Sequence, residues 1–94
     1  MYKISLDAVI NEELKDPEFR NLYQKELLIN SIAKMVVILR KKTKLTQRRL
    51  AAMAHTTQPV IARLESGGDE RVPSLELLAR IAFATNSRLN ISFE

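Results

Sequence analysis

Residues 28–39 are apolar on almost every face a helix can present, and this stretch limits what the chain can fold into. Leu28, Ile32, Met35, Val36 and Leu39 recur at helical spacing, while Ile29, Ala33, Val37 and Ile38 fill the flanks and back. A helix this apolar has to be covered on more than one side. Its longest uninterrupted apolar run, Met35 to Leu39, falls far short of the roughly 20 residues that span a bilayer. The cover is therefore protein, either the N-terminal residues of the chain itself or a partner chain. Ninety-four residues make one domain with at most an appended arm, and a domain of that size buries roughly 60–65% of its unfolded surface.

Hydroxyl and carboxylate caps punctuate the rest. Ser5 or Asp7 can cap a first short helix ending near Lys15. Asp16-Pro17 reads as an N-cap followed by proline at the first helical position, where a missing N–H costs nothing. A second helix then runs from Pro17 to about Lys42, bent or broken near Lys25. Thr46 caps a third, with Leu50, Ala51 and Ala54 inward, and Thr57 caps a fourth that Gly67-Gly68 stops after Ser66. Ser74 caps a fifth. Its inner stripe is expected to be Leu75, Leu78, Ala79 and Ala82, widened by Leu77 and Ile81. Beyond Asn86 the period drops to two, with Leu89, Ile91 and Phe93 alternating with Arg88, Asn90 and Ser92. That is the pattern of one half-buried strand. A lone strand needs an edge, and its own copy across a two-fold axis is the simplest source. The expected architecture is all-α: a helical arm (1–26), a main helical domain (27–86) and a dimerisation strand at Leu89, Ile91 and Phe93 (87–94).

Composition removes several function classes. No cysteine is present, so neither disulfides nor thiolate zinc sites are available, and a reducing cytoplasm is the natural setting. Asp7, Glu12 and Glu13 interrupt the N-terminus where an export signal needs an apolar stretch. The single histidine, His55, falls in a turn. Glu12 and Glu13 are adjacent and diverge on a helix, and there is no glycine-rich phosphate loop or metal-ligand spacing. We therefore expect no enzyme, no cofactor, no metal, no small-molecule substrate and no membrane partner.

The net charge of +4 is unevenly spread. Residues 1–26 carry four basic and six acidic side chains, net −2, whereas residues 40–71 carry eight basic against three acidic, net +5. A basic middle suits a nucleic-acid surface as well as it suits a merely solvated face. Two short helices joined near His55 to Gln58 have the organisation of a helix-turn-helix unit. On a helical wheel the second turns Ile61, Leu64 and Glu65 inward and Pro59, Ala62, Arg63 and Ser66 outward, with Gln58 at its exposed start. Such a small, sparingly polar face can enter a major groove, though an ordinary surface helix can look the same. Arg48 and Arg49 favour the first reading. They stand in the first turn of their helix, where the macrodipole disfavours a cation by roughly 0.3–1 kcal/mol, an arrangement that a docked phosphate would justify.

The residues Leu45-Thr46-Gln47, Leu50-Ala51, Thr57-Gln58, Ile61, Arg63-Leu64-Glu65, Pro73-Ser74-Leu75 and Leu78 resemble the Cro/C1-type (XRE) helix-turn-helix family over about residues 34–86. The resemblance implies a lambda-repressor-like domain on double-stranded operator DNA. It implies base contacts from Gln58, Pro59, Val60, Ala62 and Arg63, and phosphate contacts from Lys44, Thr46, Gln47, Arg48, Arg49, Thr57 and Arg71. It also implies an ion pair between Arg40 and Glu65. Two positions depart from the pattern. His55 stands where the family usually has glycine, in a position expected to be left-handed. Pro59 deletes one N–H that Thr57 could cap, leaving Val60 N–H for that role.

The run Leu14-Lys15-Asp16-Pro17-Glu18-Phe19-Arg20 with Tyr23 and the long helix after it is similar to the N-terminal arm of HigA-type antitoxins. Those antitoxins bind a RelE/HigB-like, mRNA-cleaving toxin and repress their own operon as homodimers. The resemblance implies toxin contacts from Phe19, Leu22 and Tyr23, which could equally pack on the chain's own 29–38 surface. A free-standing repressor without a toxin, and an interaction subunit that never meets DNA, are the competing readings.

Overall fold

Asp16 opens the longest element by accepting a hydrogen bond from Glu18 N at 2.9 Å, with Pro17 next in line. In the computed structural model, which describes residues 15–68 and 71–93, the chain forms α1 (Pro17–Lys42), α2 (Gln47–Met53), α3 (Gln58–Ser66) and α4 (Leu75–Ala84). Helix α1 passes Lys25 without a break. The expected helix between Ser5 and Lys15 lies outside the described residues. Thr46 and Ser74 cap as anticipated, accepting from Arg49 N at 3.0 Å and Leu77 N at 3.1 Å. Thr57 does not: its side chain makes no cap bond, and Val60 N turns to the Thr57 carbonyl at 3.1 Å instead.

Three helices end in the same way. Leu45 N reaches back to Arg40 O and Lys44 N to Lys41 O; Thr56 N reaches Ala51 O and His55 N reaches Ala52 O; Ser87 N reaches Ala82 O and Asn86 N reaches Phe83 O. These paired 6→1 and 5→2 bonds are the Schellman motif, which puts one residue in the left-handed region. Here that residue is Lys44 (φ 58°), His55 (φ 56°) and Asn86 (φ 54°), none of them glycine. Each carries some steric strain that the surrounding hydrogen bonds hold in place.

Leu50, Ile61 and Ile81 are the largest fully buried side chains, joined in one core by Ile32, Val36, Ala51, Ala54 and Leu64. The inward stripe of α1 is rotated from the expected one. Ile29, Ile32, Ala33 and Val36 are buried, whereas Leu28, Met35 and Ile38 are 50%, 54% and 63% exposed. On α4, Leu77, Leu78, Ile81 and Ala82 face inward, leaving Leu75 and Ala79 outside. Where apolar residues surround a helix, periodicity cannot choose its phase; packing does. Residues 88–93 form neither helix nor strand, with Leu89, Ile91 and Phe93 exposed. No strand lies among the described residues to give this segment an edge.

Gly67 closes α3 at φ 68°, and a Cβ built there would lie 2.7 Å from Asn30 Oδ1 and 3.8 Å from Ala33 Cβ. Small residues on both sides let the end of α3 sit against α1. Gly67→Ala is expected to cost about 1–2 kcal/mol, mainly from the left-handed backbone. The side-chain clash can rotate away, so adding Asn30→Ala should recover little of that loss in chemical denaturation. Full recovery would place the constraint in the contact rather than in φ.

Candidate nucleic-acid interface

The interface rests on an ion pair between two helices. Arg40, near the end of α1, donates from Nε to Glu65 Oε2 at 2.6 Å and from Nη2 to Glu65 Oε1 at 3.0 Å. Its remaining nitrogen, Nη1, donates to Leu45 O at 2.9 Å, fastening the α1–α2 turn to the same guanidinium. The two side chains are only 15% and 6% exposed, as the pairing implied by sequence requires. Burial pushes the Glu65 carboxyl up. Hydrogen bonds from Arg40 and Gln47, with the charges of Arg40 and Lys41, outweigh burial and hold it below the ordinary glutamate value. The hydrogen bond to Glu65 raises Arg40 in turn, against the effect of burial.

From Glu65 the network runs outward. Gln47 Nε2 donates to Glu65 Oε1 at 3.0 Å, and Gln58 Nε2 donates to Gln47 Oε1 at 2.9 Å. The order of donors follows from charge. A carboxylate only accepts, so Gln47 must turn its NH2 toward Glu65 and its carbonyl toward Gln58. Gln58 must then turn its own NH2 toward Gln47. One N–H and the Oε1 of Gln58 are left over, the donor–acceptor combination that matches adenine in a major groove. A side-chain amide that would otherwise be ambiguous is given one orientation by a carboxylate two residues removed.

The remaining expected contacts surround this point. Pro59 and Arg63 are exposed on α3, while Val60, Ala62, Gln47 and Gln58 are half-buried. Lys44, Thr46, Arg48, Arg49, Thr57 and Arg71 are exposed around them. Neither α2 nor α3 has an acidic residue in its first turn, whereas α1 has Glu18 and α4 has Glu76. The two acid-free helix starts are the ones that carry Arg48, Arg49 and Gln58. Gln47, expected to contact phosphate, engages both ends of its amide within the chain and keeps one N–H over. Sequence reasoning missed this link; the only available signal was that positions 47, 58 and 65 all fall toward the α2–α3 side.

The helix-turn-helix family model matches residues 38–90, more than half of the chain, from the last turn of α1 through α4. The chain belongs to the helix-turn-helix family. Comparison with curated proteins and with solved structures returns no match. Family membership brings with it the coarse role of a sequence-specific DNA-binding regulator, and the Gln58–Arg63 face lies inside the matched segment. The N-terminal residues expected to contact a toxin lie outside it. There, Phe19 and Tyr23 stack on one another at 6.1 Å with planes 15° apart, and Leu22 is 57% exposed. No helix among the described residues is long and apolar enough to cross a membrane.

The helix-turn-helix network should be acid-sensitive. Glu65 titrates lower in the folded chain than in the unfolded one, so its contribution to stability is complete above about pH 4.3. That contribution is lost as pH falls through the lower folded value. Glu65→Gln is expected to cost about 1–3 kcal/mol at neutral pH and to flatten the stability profile in the acid range. Urea denaturation between about pH 7 and 3 tests it; parallel profiles for the two proteins would remove Glu65 from the acid transition.

Proposed function

We propose that the chain is the antitoxin and autorepressor of a type II toxin–antitoxin module. In this reading it is a cytoplasmic homodimer that binds operator DNA through α3 and neutralises a RelE/HigB-like, mRNA-cleaving toxin through its N-terminal arm. The observation that carries the DNA half is the charged relay from Arg40 to Gln58. It ends in a side chain with a free donor and acceptor, set beside exposed Arg63 and Pro59. Gln58, Pro59, Val60, Ala62 and Arg63 are assigned to base edges. Lys44, Thr46, Arg48, Arg49, Thr57 and Arg71 are assigned to phosphates, and Gln47 acts chiefly by holding Gln58. Thr57 suits its role because its hydroxyl is not spent on capping α3.

The toxin half is supported by the N-terminal part of α1, where stacked Phe19 and Tyr23 and exposed Leu22 offer anchors of the kind that dominate interfaces. The net acidic arm complements a basic ribonuclease and would speed encounter more than tighten binding. A free-standing repressor of the same family is equally consistent with the helix-turn-helix domain, and differs in having no use for Phe19, Leu22 and Tyr23.

Fluorescence anisotropy on the chain's own promoter tests the DNA half. Gln58→Ala or Arg63→Ala should each lose about 1–3 kcal/mol and relax preference at one base pair. Arg48→Ala should weaken all sequences alike and lower the salt slope by about 1. Equal losses on every sequence for Gln58→Ala would reduce α3 to a backbone contact. Co-purification with the product of the neighbouring gene tests the toxin half. Phe19→Ala should weaken that complex and spare operator binding, and a chain that captures no neighbour product is a free-standing repressor.

A further inference from the structure

The face of α1 turned away from the core carries an apolar stripe of its own. Leu28, Met35 and Ile38 recur there at helical spacing and are 50%, 54% and 63% exposed, with the small Ser31 half-buried among them. By helical position, Arg20, Lys34, Lys41 and Lys42 fall on or beside this face. Glu18 and Glu26, the acidic residues of α1, fall on the opposite side. An apolar stripe edged by cations suits an apolar segment that brings carboxylates. A second copy of the chain, at net +4, does not answer that description, and neither does a basic ribonuclease.

Residues 1–14 do answer it. Tyr2, Ile4 and Leu6 alternate with shorter or polar residues, and Asp7, Glu12 and Glu13 against Lys3 leave this segment at net −2. Reach agrees with charge. Leu28 and Met35 stand about 17 Å and about 27 Å along α1 from Pro17. A helix over residues 7–14, as the caps in the sequence predict, returns about 12 Å along α1, and residues 2–6 in extended form add about 16 Å. Leu6 then arrives near the level of Leu28, and Tyr2 near the level of Met35.

We propose that residues 2–14 fold back along α1 of the same chain and lay Tyr2, Ile4 and Leu6 on the Leu28–Met35–Ile38 stripe. The tether through Lys15 and Asp16 keeps the segment at an effective concentration on the order of millimolar, so a small apolar contact suffices. This docking site lies on a different side of α1 from Phe19, Leu22 and Tyr23, and it does not depend on the toxin half of the proposed function.

Methyl NMR of the methionines and disulfide trapping, both on the full chain, test the proposal. Ile4→Asp should move the Met35 methyl resonance to its position in a chain lacking residues 2–14. The same change should leave Met53, operator binding and the circular dichroism as they were. The chain has no cysteine of its own, so engineered pairs report contact directly. Leu6→Cys with Leu28→Cys should close within one chain at least about tenfold faster than Leu6→Cys with Glu26→Cys, which is as near the tether but on the other side of α1. Equal rates for the two pairs, or a Met35 resonance that ignores Ile4→Asp, overturns the proposal. Cross-linking only between a chain carrying Leu6→Cys and another carrying Leu28→Cys gives the stripe to a second copy's segment and overturns it as well.

Discussion

The bidentate contact between Arg40 and Glu65 determines how the rest of the molecule is arranged. An apolar pair of similar volume would hold α1 against α3 as firmly or more so, since desolvating two charges offsets much of what their attraction returns. What the ion pair adds is direction. It fixes which side of an evenly apolar α1 faces inward, because Ile29, Ala33, Val36 and Arg40 lie on one side of that helix. It ties the α1–α2 turn through Leu45 O. It also presents a carboxylate that only accepts, from which the amides of Gln47 and Gln58 take their orientation in turn. Packing, turn geometry and the proposed base contact thus share one source.

The surface divides along the same lines. The first turn of α2 carries Arg48 and Arg49, and neither α2 nor α3 has a carboxylate in its first turn, an arrangement unfavourable for the isolated α2 helix that suits a polyanion. The outer face of α4 exposes Leu75 and Phe83, which is unfavourable in water, beside Glu76 in its pair with Arg80. Both lie on the surface, whereas the left-handed Lys44, His55 and Asn86 are strain held by the chain's own hydrogen bonds. The buried interior has few such conflicts among the described residues: Thr85 returns its hydroxyl to Ile81 O at 2.8 Å, and Arg80 Nε is buried without a hydrogen-bond partner.

Helix starts were legible in the sequence because capping is local: Asp16, Thr46 and Ser74 act within three residues of themselves. The left-handed turn at His55 was expected only from the family pattern, which usually has glycine there. Thr57 failed as a cap because Pro59 removes a donor and the first-turn N–H groups fold back on the Thr57 carbonyl. The phases of α1 and α4 were not legible from periodicity, although the Arg40–Glu65 pairing contained the answer for α1: if Arg40 faces α3, so must Ile29, Ala33 and Val36. The Gln47 bridge joins residues 11 and 18 positions apart and exists only once α2 and α3 have packed. The pattern at 88–93 was plain, but a strand is a relation between two segments, and one chain supplies only one of them.

The central claim is that Gln58 is held ready in the free protein by a relay that begins at Arg40. Nitrogen-15 relaxation of the glutamine side-chain amides measures this directly. The account predicts that the Gln47 and Gln58 amide groups are as ordered as the backbone of α3 before DNA is added. On titration with operator, the Gln58 resonance should shift while that of Gln47 stays close to its free position. Freely rotating Gln58 amide protons in the unbound protein, with order acquired only on the operator, would contradict it.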